Sequence, residues 1–395
     1  MTAEAHAIHA AQPAVRRQHA QIRSVETCLV RMPLVVPAAF ATRAVTARDY
    51  VLVRVRSADG IAGIGLTYCG NKAGTVVQEA VTALLGPLLI GRSRHQIEGL
   101  WELMYRESLL HGRTGAVMRG LSALDIALWD LCARSAGLPL WQYLGADCDG
   151  TVPCYASGGY YRPGKDADEL AAEMRSYVER GFRSVKMKVG LLDIAAEERR
   201  LQRVREAVGR DINVFLDANN AWQDLLTALP FVRRFEPFAP GWLEEPFSPD
   251  DIESHARLAL ATSIPIATGE IEAGRWRFRS VLDARAAHVL QTDALVCGGI
   301  TEWRRIAALA SAYGVPVCPH AWHDVHAHLV ASTHNAPYAE YFIDETIVMM
   351  QPILDRRMEM KDGRLVLPLE PGLGFEFDEA CIASRGESGW ISAAG

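Results

Sequence analysis

Several features are missing from this 395-residue chain, and each absence removes a class of protein. No charge of one sign dominates: 22% of residues are charged and the formal net charge is −6, so there is no electrostatic footprint for nucleic acid. No run of eighteen apolar residues occurs, which argues against a membrane-spanning helix. The cysteines at 28, 69, 132, 148, 154, 297, 318 and 381 form no Cys-x-x-Cys pair. Neither a zinc ribbon nor a disulfide framework is indicated, and reduced, mostly buried thiols are expected. Residues 1–21 lack the continuous apolar core of a secretory signal, so they are expected to form a mobile extension of a cytoplasmic protein. Gly60, Gly63 and Gly65 stand in the wrong order for a nucleotide loop, and a strand rather than a helix follows them.

What is present is a large apolar share, 49%, and a length that suits two domains. Alternating runs at 22–34, 50–56 and 61–68, the last two joined by Asp59-Gly60, predict strands and a hairpin. Helical spacing takes over from 74 to 137, as in Leu121, Leu124 and Leu128. Residues 22–150 therefore read as an α+β domain. Beyond Val152, short β-branched runs (185–189, 214–216, 264–267, 288–291, 315–318) alternate with amphipathic stretches such as 167–180 and 194–208. That alternation predicts parallel strands with crossover helices over 151–353. Polar residues recur at the strand ends, about 20 to 29 positions apart, at Lys188, Asp217, Glu244, Glu270, Asp293, His320 and Glu340. Such a series suits a barrel, whose sites lie at the carboxyl ends of its strands, better than an open sheet with one switch point. The tail, 354–395, has strand-like runs at 363–368 and 372–378 and is expected to return to the first domain.

Lys186 and Lys188 lie two apart on a predicted strand, so both face the same way. A Lys-x-Lys usually snorkels to solvent. Val185 and Val189 beside it favour a buried strand here, where each amine would lower the other's pKa and one could serve as a base. A lone acid after a strand is as often a helix cap as a ligand. Asp217, Glu244 and Glu270 come from three consecutive strands, and converging carboxylates repel by roughly 4 kcal/mol per pair at 4 Å and an effective dielectric of 20. Such a cluster needs a cation or protons, and all-oxygen ligands favour magnesium or manganese over zinc. Asp293 could hold the His320 imidazole in one tautomer. Glu340, among apolar and aromatic neighbours, reads either as a carboxyl kept neutral, able to donate a hydrogen bond, or as a surface glutamate. His323, His326, His328 and His334 are expected to make helix contacts, since they lack zinc-ligand spacing.

Lys186-x-Lys188, Asp217-Ala-Asn219, Glu244-Glu245-Pro246, Gly269-Glu270, Asp293, His320 and Glu340 resemble, in order and spacing, the enolase superfamily and most closely its mandelate racemase subgroup. The resemblance spans nearly the whole chain and implies a modified TIM barrel of seven βα units plus an eighth strand. An α+β capping domain, built from the N-terminal part and the C-terminal tail, would close over it. It implies Mg²⁺, with Mn²⁺ as an alternative, on Asp217, Glu244 and Glu270, stabilising the enediolate formed when a carboxylate substrate loses its α-proton. Lys188 would be the base on one face, helped by Lys186. His320, oriented by Asp293, would act on the other, with Glu340 donating to the enediolate oxygen. The expected activity is dehydration of an acid sugar to a 2-keto-3-deoxy product. A racemase or epimerase is the alternative, and a barrel that binds an acidic ligand without turnover is the alternative of another class. The segment 34–50 is expected to contribute to specificity: Val35, Val36, Pro37 and Phe40 suit an apolar substrate, whereas Thr42, Arg43 and Arg48 suit hydroxyls or a second carboxylate. Ser157, Asn219 and Arg43 are the candidate substrate contacts, the expected partner is a small carboxylate, and a homo-oligomer is the expected assembly.

Overall fold

The computed structural model describes residues 19–343 and 345–394; of the expected extension, all but the last three residues lie outside the described residues. Strands β1 (Ile22–Phe40), β2 (Arg43–Ser57) and β3 (Ala62–Tyr68) form an antiparallel meander. Gly60, at φ 85°, makes the tight turn between β2 and β3, and Ser57 donates to Asp59 across it at 2.6 Å. The alternating pattern continues past residue 34, so β1 runs on to Phe40, with its pairing to β2 shifted between Pro33 and Ala38. Helices Ile97–His111 and Gly115–Ala136 cover the inner face of this sheet. Gly63 and Gly65 permit that contact: a Cβ on Gly65 would lie 2.1 Å from the carbonyl oxygen of Ala123. These glycines serve close helix-on-sheet packing.

The second sheet is parallel and follows chain order through β4 (Thr151–Ser157), β5 (Ser184–Lys188), β6 (Asn213–Asp217), β7 (Trp242–Glu244), β8 (Ile266–Thr268) and β9 (Val289–Leu290). A parallel bridge from Leu290 to Val317 extends it on one side, and β10 (Ala339–Phe342) pairs with β4 on the other. Helices such as Ala167–Glu179, Ile194–Val208 and Gly299–Ala312 alternate with the strands. The β-branched, doubly buried strands follow from helices covering one face and a second core filling the other. That second core shows that the sheet curls. Tyr155 of β4, Phe215, Trp242, Ala267, Val289 and Cys318 pack in one cluster, so residues near both ends of the strand order meet. Phe215 and Trp242, paired in register on β6 and β7, stack at 3.5 Å. Among the described residues no strand ladder joins the Val317 segment to β10.

The tail divides its contacts. Met360–Lys361 (β11) and Arg364–Val366 (β12) form a hairpin that adds to the start of β4, antiparallel, while Ile391–Ser392 (β13) joins the outer edge of β1. The strand expected at 372–378 is irregular backbone, because Arg134 and the buried Asp130 of helix Gly115–Ala136 take its polar groups: Leu373 N donates to Asp130 at 2.7 Å and Arg134 to the Phe375 carbonyl at 2.9 Å. Among the described residues no helix is long and apolar enough to cross a membrane.

Candidate active site

Strand register brings the chemistry together. Lys188, Asp217 and Glu244 are the last residues of β5, β6 and β7 and are direct neighbours: Lys188 opposite Asp217, Asp217 opposite Glu244. Adjacent strands lie about 4.8 Å apart, so same-face side chains at one level converge. Glu270 follows β8, and one oxygen from each of Asp217, Glu244 and Glu270 lies within 4.8 Å of the others, all three residues buried. These acids are free to converge because other residues cap the helices. Asp166, Asp193, Asp224 and Asp251 accept the first-turn N–H groups of the helices after β4, β5, β6 and β7.

The triad is electrostatically unfinished. Burial, together with Asp217, pushes Glu244 well above the usual carboxylate range. Burial acts the same way on Asp217, but Lys188 and Lys186 outweigh it and hold Asp217 at about 2. Lys186 lies 2.7 and 2.9 Å from the two oxygens of Glu244, the geometry of a charged pair, so the two lysines meet the repulsion here. Oxygen donors only, burial and convergence fit a hard divalent cation and not zinc. Among the described residues no other His, Cys, Asp or Glu group converges in this way.

The two lysines are not equivalent. Lys188 lines a cavity of about 390 Å³ beneath the first sheet, touches Asp217 and lies 5.0 Å from the Tyr160 ring centroid. Lys186 sits one layer deeper, 2.7 Å from Glu340 and 3.5 Å from Asp217. Of the mutual lowering expected of the pair, the effect of Lys186 on Lys188 is present but outweighed. Burial and Lys186 both act to lower Lys188, yet Asp217 raises it; burial acts to lower Lys186, and Glu244 and Glu340 raise it. Glu340 departs from expectation. Burial would neutralise it, but Lys186 and His320 hold it at about 2, and it accepts from Ala321 N at 2.6 Å. An ionised Glu340 accepts and cannot donate, so it anchors Lys186 and the Ala321 backbone.

His320 lines the same cavity beyond the carboxylates in strand order. Its Nδ1 lies 3.0 Å from Asp293 and its Nε2 3.7 Å from Glu270. Burial works against its charge, but Glu270 and Asp293 raise its pKa to about 9. Asp293 is itself held by Trp322 Nε1 at 2.9 Å and Leu295 N at 2.7 Å. Of the four later histidines, His326 braces this loop, accepting from Ala294 N at 2.9 Å with its other nitrogen 2.8 Å from the Ala321 carbonyl. His328 sits between Trp141 N and Leu373 O, each at 3.2 Å, and His334 lies 3.2 Å from Ser311.

Backbone strain marks the same strand ends. Asn219, Asn220, Glu245, Ala321 and Trp322 have φ between 42° and 61°, a conformation costing side-chain-bearing residues about 1–3 kcal/mol each. Of the candidate substrate contacts, Asn219 and Arg43 line the cavity, and Asn219 Oδ1 is buried without a protein partner. Ser157 is not on the cavity wall: it pairs in register with the deeper Lys186 and lies beside Glu340. Residues that spacing did not single out are Glu245, Tyr160 and Arg119, which complete the lining, and Trp322 and His326, which brace Asp293. The only sequence signal for Arg119 is a charge on the otherwise buried stripe of helix Gly115–Ala136.

A curled parallel sheet with carboxylates, an amine and an imidazole at its strand ends, under an N-terminal α+β cap, defines the metal-assisted enolase class of α/β barrel enzymes. Residues 22–145 match the mandelate racemase / muconate lactonizing enzyme N-terminal domain, and residues 169–381 the enolase C-terminal domain-like family; the chain belongs to this branch of the enolase superfamily. It is 34% identical over 334 residues to an arabinonate dehydratase of Saccharolobus solfataricus, covering 83% of this chain and 88% of that one. The crystal structure of the L-talarate/galactarate dehydratase of Salmonella typhimurium LT2, liganded with Mg and L-lyxarohydroxamate, superposes with a TM-score of 0.87 at 31% identity, over 95% of each chain. A racemase from Streptomyces coelicolor A3(2) with bound magnesium gives 0.86 at 31% identity, over 92% of this chain and 99% of that one.

Proposed function

We propose that this enzyme removes the α-proton of an acid sugar and dehydrates it to a 2-keto-3-deoxy acid, with Mg²⁺, or Mn²⁺ in its place, on Asp217, Glu244 and Glu270. The observation that carries this reading is that Lys188 and His320 reach one cavity from either side, in strand order, of a buried carboxylate triad. When bound, the divalent cation supplies positive charge that neutralises the triad and favours the negative charge developing on the substrate carboxylate. Lys188, which Asp217 keeps protonated while the two are paired, would lose that proton to solvent once Asp217 serves the cation instead, and the neutral amine then takes the α-proton. Lys186, held by Glu244 and Glu340, keeps positive charge near the substrate carboxylate. His320, fixed by Asp293 at Nδ1, delivers a proton from Nε2 to the departing β-hydroxyl. Asn219 and Arg43 contact the substrate. The curled sheet completes a modified barrel of seven βα units plus an eighth strand, a reading supported by the shared inner core of Tyr155 and Cys318.

Racemisation is the second reading, favoured by the same two-sided placement: His320 could return its proton to the α-carbon instead. A library of acid sugars, tested after chelation and Mg²⁺ readdition, separates the readings. Metal-dependent exchange of the α-proton in D₂O with formation of a 2-keto-3-deoxy product supports dehydration. Epimerised substrate without keto acid supports racemisation, and no exchange with any member leaves only a binding role.

A further inference from the structure

The cavity wall facing the reacting groups carries positive charge that forms no ion pair among the described residues. Arg43, Arg48 and Arg119 all line it. Among the described residues none of the three has a carboxylate within ion-pair distance, whereas Arg31, Arg54, Arg94 and Arg134 nearby in the cap are each paired. Arg119 is the most constrained of the three. It rises from helix Gly115–Ala136, donates to the Tyr68 carbonyl at 2.7 Å and lies 4.4 Å from the Tyr68 ring centroid. That ring is in turn 6.0 Å from the His320 imidazole. Arg119 is therefore separated from the proton-transfer end by one aromatic ring. Arg48 gives one N–H to the Ile347 carbonyl at 3.3 Å, and Arg43 lies 5.8 Å from the Phe40 ring, so each retains free donors. A half-buried guanidinium held in place and lacking an acid is a receptor for an anion, because its fork matches a carboxylate's two oxygens.

We infer that the substrate carries a second carboxylate at its far end, held by Arg119 with Arg43 and Arg48 beside it, so that the enzyme selects sugar diacids over the corresponding monoacids. This rests on the proposed α-proton chemistry, which fixes the first carboxylate at the triad. A charge-assisted contact of this kind gives roughly 10- to 100-fold discrimination.

The experiment compares matched pairs, hexaric acids and the hexonic acids of the same configuration, which differ only in a terminal carboxylate or hydroxymethyl group. With the Mg²⁺-loaded wild-type enzyme, kcat/KM should favour the diacid by about 10- to 100-fold. Arg119→Gln should bring that ratio down towards one. A merely structural Arg119 would lower both rates together and leave the ratio unchanged, which overturns the assignment. Equal turnover of both members by the wild type overturns it without any variant, so a poorly folding R119Q does not rescue it. No α-proton exchange with either class would instead sink the parent reading of the site.

Discussion

The strand-end wall and the cap wall of one cavity are built on opposite principles. On the strand-end side each proton-transfer group and its helper is locked to a carboxylate: Lys188 to Asp217, Lys186 to Glu244 and Glu340, His320 to Asp293. On the cap side Arg43, Arg48 and Arg119 lie along a hairpin and a helix with no acid partner among the described residues. Locked charges preorganise a reaction, because they need no rearrangement as charge develops. Unlocked ones wait for a ligand. The difference assigns chemistry to the barrel and selection to the cap, and it can be attacked from either side.

The largest effect should come from the triad. Chelation, or Glu244→Gln, removes either the cation or one of its ligands and leaves buried charge unbalanced; activity should fall to background, with recovery on adding Mg²⁺ only in the wild type. Substrate turnover before and after metal readdition checks this. Retained turnover in a chelated wild-type sample would mean that the lysines alone suffice to balance the carboxylates. Next come the proton-transfer groups. Lys188→Ala and His320→Asn should each lower kcat by about 10²- to 10⁴-fold while leaving folding intact. The two should also differ. His320→Asn should spare more α-proton exchange in D₂O than Lys188→Ala, since Lys188 abstracts the proton and His320 acts afterwards. Equal loss of exchange in both would break the assignment of faces.

The same contrast explains what the sequence made legible. Lys188, Asp217 and Glu244 could be read because parallel strands with helical crossovers repeat at a near-constant length, and each repeat ends on a polar residue where register makes neighbours. The cap wall has no such period. Arg119 reaches the cavity through the packing of Gly63 and Gly65 on helix Gly115–Ala136, a tertiary fact invisible to spacing. The level of Ser157, in register with Lys186, is likewise set by how β4 pairs with β5 and not by spacing. For a related reason, the apolar sequence neighbours of Glu340 gave no hint that Lys186 from another strand would meet it. Trp322 and His326 brace Asp293 only because Ala321 and Trp322 take positive φ.

A third measurement addresses the joint between the two regions. His328 bridges Trp141 N, next to the cap helix, and the tail carbonyl of Leu373. Burial lowers its pKa from 6.5 to about 4, so the native imidazole is neutral. The unfolded chain binds a proton between those pH values that the native state refuses. The contribution is therefore complete above pH 6.5 and is lost as pH falls towards 4, at a cost of about 3 kcal/mol. Urea melts at pH 7 and pH 4.5 should show that loss, and His328→Gln should reduce the pH slope. An unchanged slope in the variant would place the acid sensitivity elsewhere.

The smallest effect probes how the cap is held over the chemistry. Thr42, at the tip of the hairpin between β1 and β2, donates to the Asn219 carbonyl at 3.1 Å, tying the cap wall to the loop that follows the metal-side Asp217. Thr42→Ala removes one hydrogen bond worth about 0.5–1.5 kcal/mol and touches no charged group. If the cap selects and the barrel reacts, the loss falls on substrate capture: KM should rise by roughly two- to tenfold while kcat changes less. Steady-state kinetics on the best diacid would read this split. A fall in kcat alone would mean that the hairpin tip positions Asn219 for the reaction itself, and the division of labour between the two walls would then not hold at their point of contact.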